Sequence, residues 1–405
     1  MGAHVHVVGA GIAGLAAALH LTARGEQVVL HEAAPQAGGR ARALPDGTDN
    51  GTHALLSGNR AMLALLGAIG ARDGWVEPEP AGLPVFDRVD GRARHVALAP
   101  WAWWRGGRPA GLTPGAALAL LRMGLGTRDV TIAEAFAEHP RFLRGYMEPL
   151  AIAVLNTPAR EASTRRLAAA MREAARPGAA RLLVARDGLG PDLVTPALAT
   201  LAARGAAIRH GARLRALERD GAGVTALDFG EERIAADRVV LALPPWETTR
   251  LVPGLPAPHE HAPILNLHFA RPAETPVRFI GLLGALCQWV LIRPAGIAVT
   301  VSAADAESEE PADALAPRAW GEIRAAARAF ALPGDWPEAP PPCRAVKERR
   351  ATPRQRPGPP PTPPRRPLAN LALAGDWTHP ALPATLEAAA RSGEEAARAI
   401  LEMPR

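Results

Sequence analysis

Several things are scarce in this chain, and each scarcity removes a class of function. Two cysteines in 405 residues, Cys287 and Cys343, with no CxxC pair, leave no material for a disulfide framework or a structural zinc site. That scarcity fits a reducing compartment. Lys347 is the one lysine and Glu348 follows it, so no Walker A loop can form; HExxH is missing as well. No uninterrupted apolar run approaches the roughly 18 residues of a membrane span. The apolar start, Val5 to Leu19, lacks a basic leader and carries patterned glycines, so it does not read as a signal peptide. The expectation is a soluble or peripheral cytoplasmic protein.

What is present describes a folded chain. Apolar residues make up 48% and charged residues 21%, a globular balance. The length suits two or three domains. The net charge of +6 is carried almost wholly by arginine. Those arginines are spread along the chain without a recognition module, so no nucleic-acid partner is expected. Proline clusters at 353, 357, 359, 360, 361, 363, 364 and 367. Residues 351–367 therefore predict a solvated, extended loop.

The beginning of the chain carries the first chemical signal. His4–Val8 reads as a buried strand, Ile12–Arg24 as a helix closed by Gly25, and Gln27–Glu32 as a second strand. Between the first strand and the helix stands Gly9-Ala10-Gly11-Ile12-Ala13-Gly14. Gly9, Gly11 and Gly14 let the backbone turn, approach a pyrophosphate and pack helix on strand, with Ala13 in the same turn. The helix start then offers free N–H groups to the phosphates. Glu32, 18 residues after Gly14, can accept hydrogen bonds from a ribose. Gly38-Gly39-Arg40 follows, two glycines for a close crossing and an arginine for a phosphate.

The end of the chain carries a matching signal. Leu371–Gly375 predicts a buried strand and Pro383–Leu401 a closing helix. Asp376, after Gly375, can hold a hydroxyl at a strand end. The helix start at Pro383, Ala384 and Thr385 can direct its positive end at an electron-rich ring. Between these ends, Asn59–Gly70 predicts a helix and 71–180 a mostly helical region. Leu193–Arg204 follows as a helix, short strands lie within 209–243, and 262–301 alternates like antiparallel sheet.

Taken together, GxGxxG, Glu32, Gly38-Gly39-Arg40, Ala374-Gly375-Asp376-Trp377-Thr378, Ala384-Thr385-Leu386-Glu387 and Arg391-Ser392-Gly393 resemble the FAD-dependent amine oxidase and phytoene desaturase superfamily. Asp49-Asn50-Gly51-Thr52-His53 through Gly58, Glu148-Pro149-Leu150, Leu155-Asn156-Thr157-Pro158, Arg186-Asp187-Gly188-Leu189 and Gln288-Trp289 narrow the similarity to its hydroxysqualene dehydroxylases. The resemblance implies an α/β fold with a discontinuous Rossmann-type FAD-binding domain (1–70, 181–245 and 368–405) and a second α+β substrate-binding domain (71–180 and 246–350). It implies FAD as cofactor, a strand holding Leu214 beside the adenine, and hydroxysqualene, a polyprenoid lipid, as the substrate to be dehydroxylated to squalene. His53 then becomes a candidate proton donor, set against a structural histidine bonded to backbone; Asp49 reads better as a turn-maker. Two stretches depart from the pattern, Thr378-His379-Pro380-Ala381 and the shortened segment before the proline tract.

Other readings of the same residues differ in chemistry. Polyprenoid desaturation uses the same flavin motifs with electrons moving the other way. Amine oxidation would ask for an aromatic cage and a lysine-held water, whereas Tyr146 is the sole tyrosine and Lys347 reads as a solvated surface charge. A flavin-free prenyl-lipid carrier would have no use for Glu32 and Asp376. Trp101, Trp103 and Trp104, followed by Arg105 and Arg108, read either as a peripheral membrane patch or as packing of the substrate domain.

Overall fold

The computed structural model describes residues 4–126, 128–221 and 223–403, except the side chains of Trp104 and Arg105. Short strands of Val, Leu and Ala that are buried on both faces belong in a parallel sheet. Four such strands and a more exposed edge strand form one, in the order Leu371–Leu373, Arg238–Leu241, Val5–Val8, Val28–His31, Ala207–Arg209. All its pairings are parallel, with Val5 opposite both Val28 and Arg238. One face is covered by the helices Ile12–Thr22, Thr195–Ala203 and Leu386–Leu401. A three-stranded antiparallel sheet, Ala216–Asp220, Gly223–Asp228 and Arg233–Ala235, packs on the other through Val224 and Leu227. The first and last segments of the chain thus lie in one sheet, both paired to the strand Arg238–Leu241 between them.

The helix Ile12–Thr22 is apolar nearly all round because it is buried nearly all round. The closing helix crosses it at Gly393, where a Cβ would stand 2.2 Å from the Ala13 carbonyl oxygen. Only glycine permits that approach.

The second layer is a seven-stranded sheet in the order Cys343–Pro353, His261–Phe269, Gly296–Ser302, Trp289–Arg293, Arg278–Leu283, Leu83–Asp87, Arg92–Val96. The helix Ala312–Ala329 covers one face around Trp320. A helical cap around Phe136, Phe142, Met147 and Leu167 covers part of the other. Region 71–180 is therefore not uniformly helical. Leu83–Asp87 and Arg92–Val96 are a hairpin joining this sheet, and Trp75–Val76 pairs with Leu182–Ala185. The apolar residues Leu83, Val85 and Val96 have no helical repeat of their own; Leu83 pairs with Val96, and Val85 pairs with Gly281 on a strand far along the chain.

Two more expectations are corrected. The closing helix begins at Leu386, not Pro383, because the Thr385 side chain accepts the Ala388 N–H and caps it there. The proline tract is not solvated throughout. Residues 351–353 finish an edge strand, where proline is tolerated. Gln355 is buried, its N–H donating to Thr157 Oγ1 and its carbonyl accepting from Ser163 N–H. The Gly358 N–H donates to Asp129. Beyond it, most of residues 359–367 are exposed.

Among the described residues no helix is long and apolar enough to cross a membrane. Trp103 is buried, edge-on to Tyr146, and its Nε1–H donates to the Ala97 carbonyl; it packs the core, while Trp101 is exposed. The Trp104 and Arg105 side chains lie outside the described residues.

Candidate functional site

The glycine turn is shaped for close approach. Gly9 has φ 103°, and a Cβ there would meet the Ala242 carbonyl oxygen at 2.4 Å; at Gly14 it would meet the Gly9 oxygen at 1.8 Å. Gly11, by contrast, faces open space bounded by Gly39, whose Cα would lie 4.0 Å from such a Cβ. The helix start behind it has no side-chain cap and no carboxylate in its first turn. Its positive end is left for an anion that the protein does not itself supply.

Glu32 lies alongside. Its carboxylate accepts the Ala10 N–H at 2.8 Å and the Ala34 N–H at 2.9 Å. Glu32 therefore braces the glycine turn as well as presenting oxygens at its rim. Gly38 donates its N–H to the Ala10 carbonyl at 2.8 Å, which docks the Gly38-Gly39 crossing against the first turn.

Arg40 is the hinge between the two ends of the chain. Its guanidinium donates to Asp376 Oδ1 at 2.7 Å and to the Ala351 carbonyl. Burial disfavours its charge, but Asp376 outweighs burial and holds the guanidinium above its ordinary pKa. The Arg40 side chain keeps 37% of its surface open, whereas its partner Asp376 is buried. Gly375 is fixed by its N–H donating to Ser392 Oγ, and the Glu387 carboxylate accepts the Ala61 and Met62 N–H groups.

The residues from Asp49 to His53 form the next ring. Asp49 accepts the Leu189 N–H at 2.7 Å and pairs with Arg293 at 2.8 Å, both partners largely buried. It is a strut between segments. Asn50 donates to the Arg40 carbonyl, and Asn266, held by Thr300, donates to the Asn50 carbonyl. His53 also contacts the Arg40 carbonyl, through Nε2 at 3.2 Å. Burial lowers its pKa, with that carbonyl and Asp49 acting in the opposite direction. Asn156, in the left-handed conformation that ends the helix Glu148–Leu155, ties Ala262, Thr352 and Ala303 together.

Not every sequence candidate is placed as expected. Leu214 precedes its strand, which begins at Ala216; its side chain is buried and its carbonyl already accepts from Arg250. Lys347 is not a free surface charge, since its Nζ donates to the Glu310 carbonyl. The turn Thr378–Ala381 is built by His379, whose Nδ1 accepts the Ala381 and Leu382 N–H groups.

One residue escaped sequence reasoning. Arg166 is buried on the helix Thr164–Ala174 and donates to the Leu382 carbonyl. Burial lowers its pKa, which Asp129 only partly offsets. With Asp376, Trp377, His379 and Ala384 it lines a cavity of about 160 Å³ under the proline segment. Arg165 precedes it in sequence, and only the helix face distinguishes the two.

Comparison with known proteins agrees with this geometry. Residues 12–401 match the family model for flavin containing amine oxidoreductase. The chain is 38% identical to a hydroxysqualene dehydroxylase of Rhodopseudomonas palustris, covering 98% of each chain. It is 36% identical to one from Sinorhizobium fredii, covering 97% of each. In fold it is similar to cyclohexylamine oxidase from Brevibacterium oxydans, with TM-score 0.71, 16% identity and 99% of each chain covered. A putrescine oxidase variant gives TM-score 0.70 at 16% identity, over 98% of this chain and 99% of that one. A glycine cradle beside an uncapped helix, an arginine joining both chain ends and full-length similarity lead to one assignment. The chain is a flavin-dependent oxidoreductase that belongs to the flavin-containing amine oxidoreductase family, in its hydroxysqualene dehydroxylase branch.

Proposed function

We propose that the protein binds FAD and converts hydroxysqualene to squalene by reductive dehydroxylation. The observation that carries this reading is the full-length similarity to proteins named for that activity. Asp49, Asn50, Asn156 and Gln288 are each engaged in hydrogen bonds that tie separate segments together.

The residues present suit FAD. The open side of Gly11, the uncapped helix start through Ala13 and Gly14, and the crossing at Gly38 and Gly39 would take the pyrophosphate. Glu32 would take the adenosine ribose, with the segment at Leu214 beside the adenine. Arg40, Gly375 and Asp376 would hold the ribityl and phosphate end, and Pro383, Ala384 and Thr385 the ring. When reduced, the flavin supplies a hydride.

The substrate change balances as an allylic alcohol plus a proton and a hydride giving an alkene and water. The protein's part is to position the alcohol, keep bulk water from the allylic cation and deliver the proton. His53, whose ring rests on the Arg40 carbonyl, is assigned to positioning that loop, with proton donation as the role to be tested. The same reading divides the chain into a flavin domain (1–70, 181–245 and 368–405) and a substrate domain (71–180 and 246–350). Residues 351–358 are added to the latter. A bilayer-dissolved substrate also implies peripheral contact with a membrane.

The test is anaerobic. Reduced, flavin-loaded enzyme mixed with hydroxysqualene should form squalene, read by mass spectrometry, in step with flavin reoxidation. Full flavin loading without squalene, and turnover of a polyene instead, would overturn the assignment in favour of a desaturase.

A further inference from the structure

We infer that the outward face of the helix Pro114–Leu125, together with Trp101, is a docking surface for an anionic lipid bilayer. The inference rests on the reading of the substrate as a polyprenoid lipid. Five large apolar side chains are exposed among the described residues: three lie on this helix, Leu118 at 46%, Leu121 at 60% and Leu125 at 69%, and a fourth, Trp101 at 46%, on the segment Pro100–Arg105 that precedes it in sequence. Isolated exposed leucines need no explanation, but a cluster does.

Helical geometry makes the three leucines one stripe. At 3.6 residues per turn they fall within an arc of about 60°. Ala116 and Met123 lie opposite, buried in the core that also holds Trp103 and Phe136. The helix therefore has a satisfied inner face and an uncovered outer one. Its 12 residues are too few to span a bilayer, so it would lie in the plane of the interface.

Charge identifies the occupant. From Gly91 to Arg128 the sequence contains no aspartate or glutamate and six arginines. Arg108 and Arg122 are exposed and make no ion pair with any described residue, while Arg128, also exposed, acts on Glu134 alone. A second copy of the chain meeting this face about a two-fold axis would bring positive against positive. Anionic headgroups meet both needs, taking arginine charge at the rim and leucine and indole in the acyl boundary.

The experiment uses the full-length, flavin-loaded protein and vesicles of phosphatidylglycerol with phosphatidylcholine. The wild type should co-sediment, and high salt should weaken binding. The double variant Leu121→Glu/Leu125→Glu should bind roughly tenfold or more weakly. Val89→Glu, at an exposed position beside Asp90 and outside the stripe, should bind as wild type. Wild-type binding by the double variant, or no sedimentation of the wild type, would overturn the inference. So would a wild-type dimer in light scattering that the double variant dissociates. Turnover of detergent-dispersed hydroxysqualene separates the two claims. It should be equal in wild type and double variant, and its absence from both, with vesicle binding intact, would count against the substrate assignment alone.

Discussion

Removing the Glu32 carboxylate tests two roles at once. Glu32→Ala leaves the Ala10 and Ala34 N–H groups without their 2.8 and 2.9 Å acceptors. A hydrogen bond to a charged group contributes about 1.5–3 kcal/mol. Glu32 is half-buried, so water replaces part of each bond, and a loss of roughly 2–4 kcal/mol is reasonable for the flavin-free protein. For a chain of 405 residues that corresponds to a fall of roughly 2–5 °C in its melting midpoint. If the same carboxylate also holds ribose hydroxyls, FAD affinity should drop a further ~10- to 100-fold, about 1.4–2.8 kcal/mol. The assay is a melting curve with and without FAD, alongside flavin absorbance retained through gel filtration. A lower flavin-free midpoint with an unchanged FAD-induced rise would leave the brace standing and refute the ribose contact. An unchanged flavin-free midpoint would refute the brace.

Three further outcomes follow from other contacts. Gly14→Ala places a methyl group 1.8 Å from the Gly9 carbonyl oxygen, so the turn must open at a cost of about 3 kcal/mol or more. Normal flavin loading by that variant would contradict the turn geometry. Asp49→Ala strands Arg293 and should lower stability by about 3–5 kcal/mol, whereas adding Arg293→Ala should cost less than the sum of the single changes; additive urea midpoints would show that the pair is uncoupled. His6 Nδ1 and His31 Nε2 meet at 3.0 Å on adjacent strands, and burial, with His6 and Arg209, lowers His31 to about 3. The folded state thus binds its proton later than the unfolded state. The contribution is complete above pH 6.5 and declines as pH falls toward 3, by roughly 1.4 kcal/mol per unit. His31→Phe should flatten that slope in chemical denaturation, and an unchanged slope would refute the assignment.

The parallel sheet, its glycine turn and a flavin-dependent family were legible in the residues alone. Glycine spacing, an acid 18 residues on and a strand before each motif are local signals, and local backbone demands are what sequence records most directly. It also pointed to the partnership of the chain's two ends, because neither half of a parallel sheet can bury itself alone. The remaining features depend on contacts between distant segments, which no local pattern records. The hairpin Leu83–Val96 is a strand pair because Arg278–Leu283 offers it an edge. The proline segment is pinned by Thr157, Ser163 and Asp129, more than 190 residues earlier. Asp49 is a strut because folding delivers Arg293 to it. Arg166 rather than Arg165 faces the cavity, and Leu121 rather than Met123 faces outward, because helix faces acquire an inside only when something packs against them.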